Sequence, residues 1–195
     1  MTLFNFPSNF VYWTKIKEHE ELKNILLPKI YDDVPNIKYE GDGVCVTNYF
    51  EKNNIINNLD FSVYESIVWN PFKKMYDEPD LKLRYSPEKS SIQNIWYNLY
   101  DDKNSWHKTH THPTSTFSGI YLLHLSGENG TTFYQFGHPM YELEYDTKHI
   151  EEGNVIIFPS AMPHSIVSKD HKVSISFNIQ CYNDSYGSLF WFKKY

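Results

Sequence analysis

The sequence predicts a mainly β protein, a barrel or jelly roll with N-terminal helices packed on one outer face. Before residue 80, apolar residues recur with a helical period, whereas from about residue 82 the period changes to two. Clusters of Gly, Asn, Asp and Pro separate the later segments, as turns separate short strands. We expect a single domain, 1–195, in which residues 1–80 form a helical support and residues 81–195 form the β core that carries the site.

Two segments have the helical pattern. Residues 15–30 are predicted to form the first helix, and Pro28 is expected to end or kink it. Residues 60–77 form the second, with a break expected at Pro71. The predicted buried residues are Ile16, Leu22, Ile25 and Leu26 in the first helix and Phe61, Tyr64, Ile67, Val68 and Met75 in the second.

The β region contains segments rich in Ile, Val, Tyr, Phe and Thr, bounded by turn sequences such as SGENG and EEGN. The last strand alternates an apolar face with a polar face, and the polar face either meets solvent or lines a cavity. The predicted strands are 81–85, 92–100, 117–125, 131–136, 154–158 and 172–182. The polar residues of the last strand are Lys172, Ser174, Ser176, Asn178 and Gln180.

Composition excludes several classes of protein. The net charge of −6 disfavours a nucleic-acid-binding surface. Two cysteines, Cys45 and Cys181, form neither a disulfide framework nor a CxxC zinc pattern. The N-terminus lacks the pattern of a signal peptide, and no apolar run is long enough to span a membrane. We therefore expect a cytoplasmic protein without nucleic-acid or membrane partners, and its oligomeric state stays open.

The stretch HKTHTHPTS, residues 107–115, carries three histidines. Residues i and i+2 of a strand point to the same side, so His110 and His112 can present two imidazoles to one metal ion. His164, which follows the apolar strand NVIIF, is the candidate third ligand. In the alternative interpretation the HxH pair is a solvated turn. His107 has the opposite strand parity to His110 and is expected either next to the ligands or at the rim, and the other histidines are expected at the surface or in loops.

Four segments of the chain resemble the Fe(II)/2-oxoglutarate-dependent oxygenases, and specifically a prolyl-hydroxylase-like branch with an H-x-H-P motif. They are HTHPTSTFSGIYLLHL, GENGTTFYQF, EEGNVIIFPSAMPHSIV and HKVSISFNI, in the order that the family has them. The resemblance covers roughly residues 92–182. It implies a double-stranded β-helix fold, with Fe(II), 2-oxoglutarate and O2 as cofactor and cosubstrates.

The resemblance also implies a ligand set. The usual triad is two histidines and one carboxylate, and the matching positions are His110, His112 and His164. His112 stands where the family has the carboxylate. Either His112 is a ligand, which gives a site of three histidines, or water or another group fills the third position.

The far carboxylate of 2-oxoglutarate usually pairs with arginine in an R-x-S pattern on the last strand. Lys172 and Ser174 match that pattern, with lysine in place of arginine. Tyr121 is a further candidate for this carboxylate, although a tyrosine of the core fits equally well. Asn98 is a candidate contact for cosubstrate or substrate.

The implied activity is a dioxygenase that hydroxylates a small molecule or peptide and releases succinate and CO2. One alternative is a cupin-like enzyme with a three-histidine metal site that does not use 2-oxoglutarate. The cupin pattern places a glutamate a few residues after HxH, and PTSTFSG has none. The other alternative is a jelly-roll binding module without catalysis.

Overall fold

Two β-sheets face each other, and helices cover the outer face of the larger one. The computed structural model describes residues 9–37, 44–51, 54–81, 83, 87–103, 105–135, 144–168 and 170–182. The larger sheet has the strand order β1-β8-β5-β10-β3-β2, and the smaller has β4-β9-β6-β7. The strands are β1 Tyr12–Lys15, β2 Val46–Thr47, β3 Ser91–Tyr100, β4 Trp106–His110, β5 Phe117–Leu125, β6 Thr131–Tyr134, β7 Glu144–Asp146, β8 Asn154–Pro159, β9 His164–Val167 and β10 Lys172–Gln180.

This architecture confirms the prediction of a mainly β fold with helices on one outer face. In the described part of the chain the two sheets do not close into a barrel. The N-terminal part is not purely helical, because β1 and β2 add to the two edges of the larger sheet. The prediction missed β1, β2, β4, β7 and β9. Of the predicted strand 81–85, Leu81 and Leu83 lie outside any strand, and the other positions, including Arg84, lie outside the described residues.

The first helix, α1 His19–Asp33, passes through Pro28 without ending there. A proline in a helix interior removes one backbone hydrogen bond, and burial of Leu26 and Ile30 on either side of it offsets that loss. The prediction of buried residues in this helix is confirmed for Leu22 and Leu26. It was wrong for Ile25, which is exposed.

The second helical segment is continuous, and no break occurs at Pro71. It consists of α2 Phe61–Tyr64, a π-helical turn Glu65–Trp69 and α3 Asn70–Tyr76. The amide of Asn70 donates to the carbonyl of Glu65, five residues back. This wider turn accommodates a proline that has no N–H to donate. Phe61, expected in the core, is 68% exposed.

Strand β10 lies between β5 and β3 in the larger sheet and divides the interior into two environments. Val173, Ile175, Phe177 and Ile179 belong to the apolar core shared with the helices. The alternate residues Lys172, Ser174, Ser176 and Asn178 are also buried. The polar face of the last strand is therefore part of the interior rather than a solvent face.

A second apolar cluster packs beside this polar face, and it contains residues of both sheets. Its buried members are Ile120, Leu122, Phe133, Ile150, Ile156, Phe158 and Met162. The space between the sheets is thus partly apolar and partly polar.

Glu152 ties α1 to the larger sheet. Its carboxylate accepts hydrogen bonds from Lys23, from His19 Nε2 at 3.1 Å and from the amide of Leu125 at 2.7 Å. The positive φ of 84° at Gly153 forms the turn that carries Glu152, and His19 packs against that glycine. His19, expected at the surface, is therefore buried and structural.

Burial alone would raise the pKa of Glu152, but hydrogen bonds from Lys23, the Leu125 amide and His19 outweigh it and lower that pKa to about 2. Because the folded pKa lies below the ordinary value of 4.5, the carboxylate stabilises the fold above pH 4.5. That contribution is lost as the pH falls from 4.5 through about 2.

We predict that Glu152→Gln lowers the free energy of unfolding at pH 7 by about 1–2 kcal/mol, a range reduced because the carboxylate is partly exposed. The difference from wild type should shrink between pH 4.5 and pH 2. Urea unfolding across this pH range measures both. Exposed Glu151→Gln is the control, and an equal loss in that variant would contradict the assignment.

Candidate metal centre and anion site

The pairing of β4 with β9 brings two distant histidines together. His110 and His164 are direct cross-strand partners in this antiparallel pair. Their ring centroids lie 4.2 Å apart, and His164 is buried while His110 is half-buried. Both strands were missed as strands, although both histidines were predicted as ligands.

His112 joins this pair from the segment that follows β4. Its backbone amide donates to the carbonyl of Ser160 at 2.8 Å, which fixes the chain against the end of β8. Its ring centroid lies 5.0 Å from that of His110 and 5.3 Å from that of His164. One ring nitrogen from each of the three histidines lies within 4.8 Å of the others, a spacing at which one metal ion can contact all three.

Backbone carbonyls orient two of the three rings. Nδ1 of His110 donates to the carbonyl of Lys108 at 2.7 Å, and Nδ1 of His164 donates to that of Met162 at 3.2 Å. Because a carbonyl only accepts, these bonds select the tautomer with the proton on Nδ1. The lone pair is then on Nε2, as in histidine ligands whose second nitrogen is held by the protein.

The histidines are neutral near pH 7. Burial, together with the smaller effects of the nearby His110 and His107, lowers the pKa of His112 to about 4. Burial likewise lowers the pKa of His110 and brings that of His164 well below its ordinary value. Neutral imidazole is the form that binds a metal ion.

His107 lies against this cluster, which is one of the two positions predicted for it. A register shift in β4 between His107 and His110 overturns the simple alternation of strand sides. The ring of His107 therefore stacks on that of His110 with centroids 4.2 Å apart. His107 also lines the same cavity as the three candidate ligands.

The cavity beside the histidines is narrow and its walls come from both sheets. Trp96, Ile120, Phe158 and Ile166 supply apolar surface, and Asn98, Ser118 and Ser176 supply polar groups. Among the described residues that line it, none is an aspartate or glutamate. His112 is therefore the chain's candidate for the position at which related sites have a carboxylate.

Lys172 lies on the same face of β10 as the cavity residue Ser176 and is fully buried. Its Nζ lies 5.4 Å from the centroid of the Tyr100 ring. Ser174, two residues along, is also fully buried, and its hydroxyl has no hydrogen-bond partner. The hydroxyl of Tyr100 is likewise buried without a hydrogen-bond partner. A buried lysine beside a buried hydroxyl that has no partner is a candidate contact for an anion.

The other candidate residues differ in position. Asn98 lines the cavity and donates from Nδ2 to Ser176 Oγ at 2.9 Å. Tyr121 is not brought to the cavity, because its side chain belongs to the core beneath the helices. Its hydroxyl hydrogen-bonds to His19 Nδ1 at 2.8 Å, so the structure gives it a structural position instead of a cosubstrate contact.

The sequence carries a signal for the position of Asn98 but none for that of His107. Asn98 falls on the same strand face as Trp96 and Tyr100, which the period of two predicts. For His107, no signal in the sequence marks the register shift. His138 lies outside the described residues.

Comparison with known proteins gives the context of this site. Residues 94–178 match a family model described as "Putative 2OG-Fe(II) oxygenase". This stretch contains the three clustered histidines, Lys172 and Ser174. No protein of curated function matches the chain in sequence. No helix among the described residues is long and apolar enough to cross a bilayer.

Three solved structures are similar to the chain. A prolyl-4-hydroxylase from Pseudomonas putida has a TM-score of 0.57 at 9% identity, covering 88% of this chain and 92% of its own. The non-heme alpha ketoglutarate dependent epimerase SnoN from nogalamycin biosynthesis has a TM-score of 0.57 at 8% identity, covering 86% and 77%. These two share the fold. An oxidoreductase of the 2OG-Fe(II) oxygenase family from Burkholderia pseudomallei has a TM-score of 0.44 at 17% identity, covering 63% of this chain, and the chain spans 55% of its length.

We predict that His110→Ala and His107→Ala differ in metal binding although both side chains lie on β4. His110→Ala removes a ligand and should weaken the affinity for the metal ion at least about tenfold. His107→Ala should lose less affinity and should still bind one ion per chain. Equilibrium dialysis with Co(II), which does not oxidise readily, measures both. An equal loss of affinity in the two variants would contradict the ligand assignment.

Proposed function

We propose that this chain, whose residues 94–178 match the model of the 2OG-Fe(II) oxygenases, hydroxylates a small molecule or peptide with 2-oxoglutarate and O2 as cosubstrates. The observation that carries this proposal is the convergence of His110, His112 and His164 beside a narrow cavity. The match over these residues supports an oxidoreductase. The substrate and the outcome of the reaction are the proposed part.

The three imidazoles fit Fe(II) by their chemistry, because imidazole nitrogen is a common ligand of iron. In the proposed site His110, His112 and His164 each give one nitrogen. The set is neutral, whereas two histidines and a carboxylate carry one negative charge. A neutral set favours the Fe(II) state over the Fe(III) state, since less negative charge is available to stabilise the higher oxidation state.

Iron(II) with 2-oxoglutarate supplies dioxygen activation, and the overall reaction adds one oxygen atom to the substrate and the other to succinate, with release of CO2. The protein's part is to hold the ligands and to limit water at the site. Trp96, Phe158 and Ile166 provide the apolar walls for this. The carbonyls of Lys108 and Met162 hold two imidazoles through Nδ1, which would leave Nε2 of each free to bind the ion.

Lys172 and Ser174 are proposed to hold the far carboxylate of 2-oxoglutarate. Support comes from the full burial of Lys172 with no acidic partner among the described residues, since a buried ammonium is costly unless an anion pairs with it. The unpartnered hydroxyl of Ser174 offers a further donor. Asn98 lies on the cavity wall, where it can contact cosubstrate or substrate.

A three-histidine oxygenase without 2-oxoglutarate is the second candidate. The neutral donor set, with no carboxylate among the described lining residues, favours it. The buried cation at Lys172 favours the first candidate instead, because an enzyme without an anionic cosubstrate has no use for it. Metal-dependent O2 consumption in the absence of 2-oxoglutarate would support the second candidate.

We predict that anaerobic addition of 2-oxoglutarate to the Fe(II)-loaded protein gives the visible charge-transfer band of the chelate. Lys172→Met keeps the length of the side chain and removes its charge, so it should weaken 2-oxoglutarate binding at least about tenfold. Metal binding should be unchanged in the same variant. If Lys172→Met alters neither the band nor its midpoint, the anion assignment is wrong.

The affinity for 2-oxoglutarate should depend on pH through Lys172. Burial lowers the pKa of Lys172 to about 7, and a bound carboxylate would raise it, because the opposite charge favours the ammonium. Cys45 and Tyr100, the titratable groups that face it, have pKa values raised by burial, that of Cys45 to about 11, so both are neutral in this range. Binding should therefore take up a proton above pH 7.

We predict that the dissociation constant rises by up to about tenfold per pH unit above pH 8. Calorimetry at pH 8 in two buffers of different ionisation enthalpy measures the proton uptake directly. Lys172→Arg is the matched control, since an arginine stays charged and should bind with an affinity that does not change over this range. Equal proton uptake by wild type and the arginine variant would contradict the role of Lys172.

A further inference from the structure

The turn before β6 places the side chain of Asn129 against Lys172. Nζ of Lys172 donates to the carbonyl of Asn129 at 2.6 Å, to its Oδ1 at 2.8 Å and to Thr131 Oγ1 at 3.2 Å. All three protons of the ammonium are thus used by neutral oxygens. Lys172, Asn129 and Thr131 are each fully buried.

The orientation of the Asn129 amide follows from its neighbours. Oδ1 accepts from both Lys172 Nζ and Thr131 Oγ1, and Nδ2 donates to Thr147 Oγ1 at 2.7 Å. A flipped amide would turn its NH2 group towards the ammonium. Gly130 follows at once with a φ of 71°, and the carbonyl of Val167 lies against it, so the backbone is fixed at this turn.

In contrast to the ammonium group of Lys172, two polar groups on β10 and β3 lack hydrogen-bond partners. The hydroxyls of Ser174 on β10 and Tyr100 on β3 are buried without a hydrogen-bond partner, while the amide oxygen satisfies the cation. Lys172 and Tyr100 face each other across these two strands. This buried cluster therefore combines a satisfied cation with unsatisfied donors, and a carboxylate has two oxygens that could accept from both.

We propose that the Asn129 amide oxygen occupies the place of the cosubstrate's far carboxylate at Lys172 and must yield it for 2-oxoglutarate to bind. This inference rests on the proposed function. An amide oxygen carries only a partial negative charge, so it hydrogen-bonds to the ammonium group more weakly than a carboxylate does. A carboxylate can therefore displace it. Asn129 would then set the affinity for the cosubstrate without being a ligand of the metal.

The test compares Asn129→Asp with Asn129→Ala in the Fe(II)-loaded protein. The aspartate supplies an internal carboxylate to Lys172, so 2-oxoglutarate should bind at least about tenfold more weakly. The alanine removes the competing oxygen, so the cosubstrate should bind severalfold more tightly. Anaerobic titration of the visible band gives both dissociation constants, and equilibrium dialysis shows that metal binding is unchanged.

Exposed Asn58→Asp is the control for the added charge. Wild-type affinity in Asn129→Asp, or weaker binding in Asn129→Ala, overturns the proposal. If the aspartate variant fails to fold, the alanine variant alone decides. Absence of any 2-oxoglutarate binding by the wild-type protein overturns the proposed function instead, which separates the two failures.

Discussion

The pairing of β4 with β9 is the constraint on which the site depends. It places His110 directly opposite His164, 54 positions away in sequence, and no local motif could do this. The hydrogen bonds from Nδ1 of each ring to a backbone carbonyl two residues back then turn the other nitrogen towards the shared space. His112 needs only the short segment after β4, held by Ser160, to complete the set. If this pairing shifted by one residue, the two rings would face opposite sides of the sheet.

Strand β10 organises the interior around that pairing. Its apolar residues hold the helices, and its polar residues line the space between the sheets. The same alternation places Lys172 and Ser174 on the inner face with Ser176, which borders the cavity. One strand thus links the packing of the helical layer to the proposed anion pocket, so substitutions beneath the helices can alter the pocket through the strand.

The sequence predicted features that follow from periodicity. The two faces of β10 and the HxH pair could be recognised because alternation and spacing are local properties, whereas His164 was added from the apolar strand before it and from the resemblance of its segment to the oxygenases. The position of His107 could not, because a register shift depends on the partner strand β9 and leaves no mark in the sequence. For Tyr121 the sequence left two alternatives open, a cosubstrate contact or a core tyrosine, because its hydrogen-bond partner His19 lies in a distant helix. Pro28 and Pro71 were read as helix breakers because tertiary packing and the π-helical turn that accommodate them are not visible locally.

The central claim is that imidazoles alone provide the protein's ligands to iron. X-ray absorption spectroscopy of the anaerobic Fe(II)-loaded protein, before 2-oxoglutarate is added, tests it most directly, because imidazole rings give a multiple-scattering pattern that carboxylates and water lack. The account predicts a pattern that fits three imidazoles in wild type and two in His112→Ala. A wild-type spectrum that fits two imidazoles, unchanged by that substitution, would contradict it.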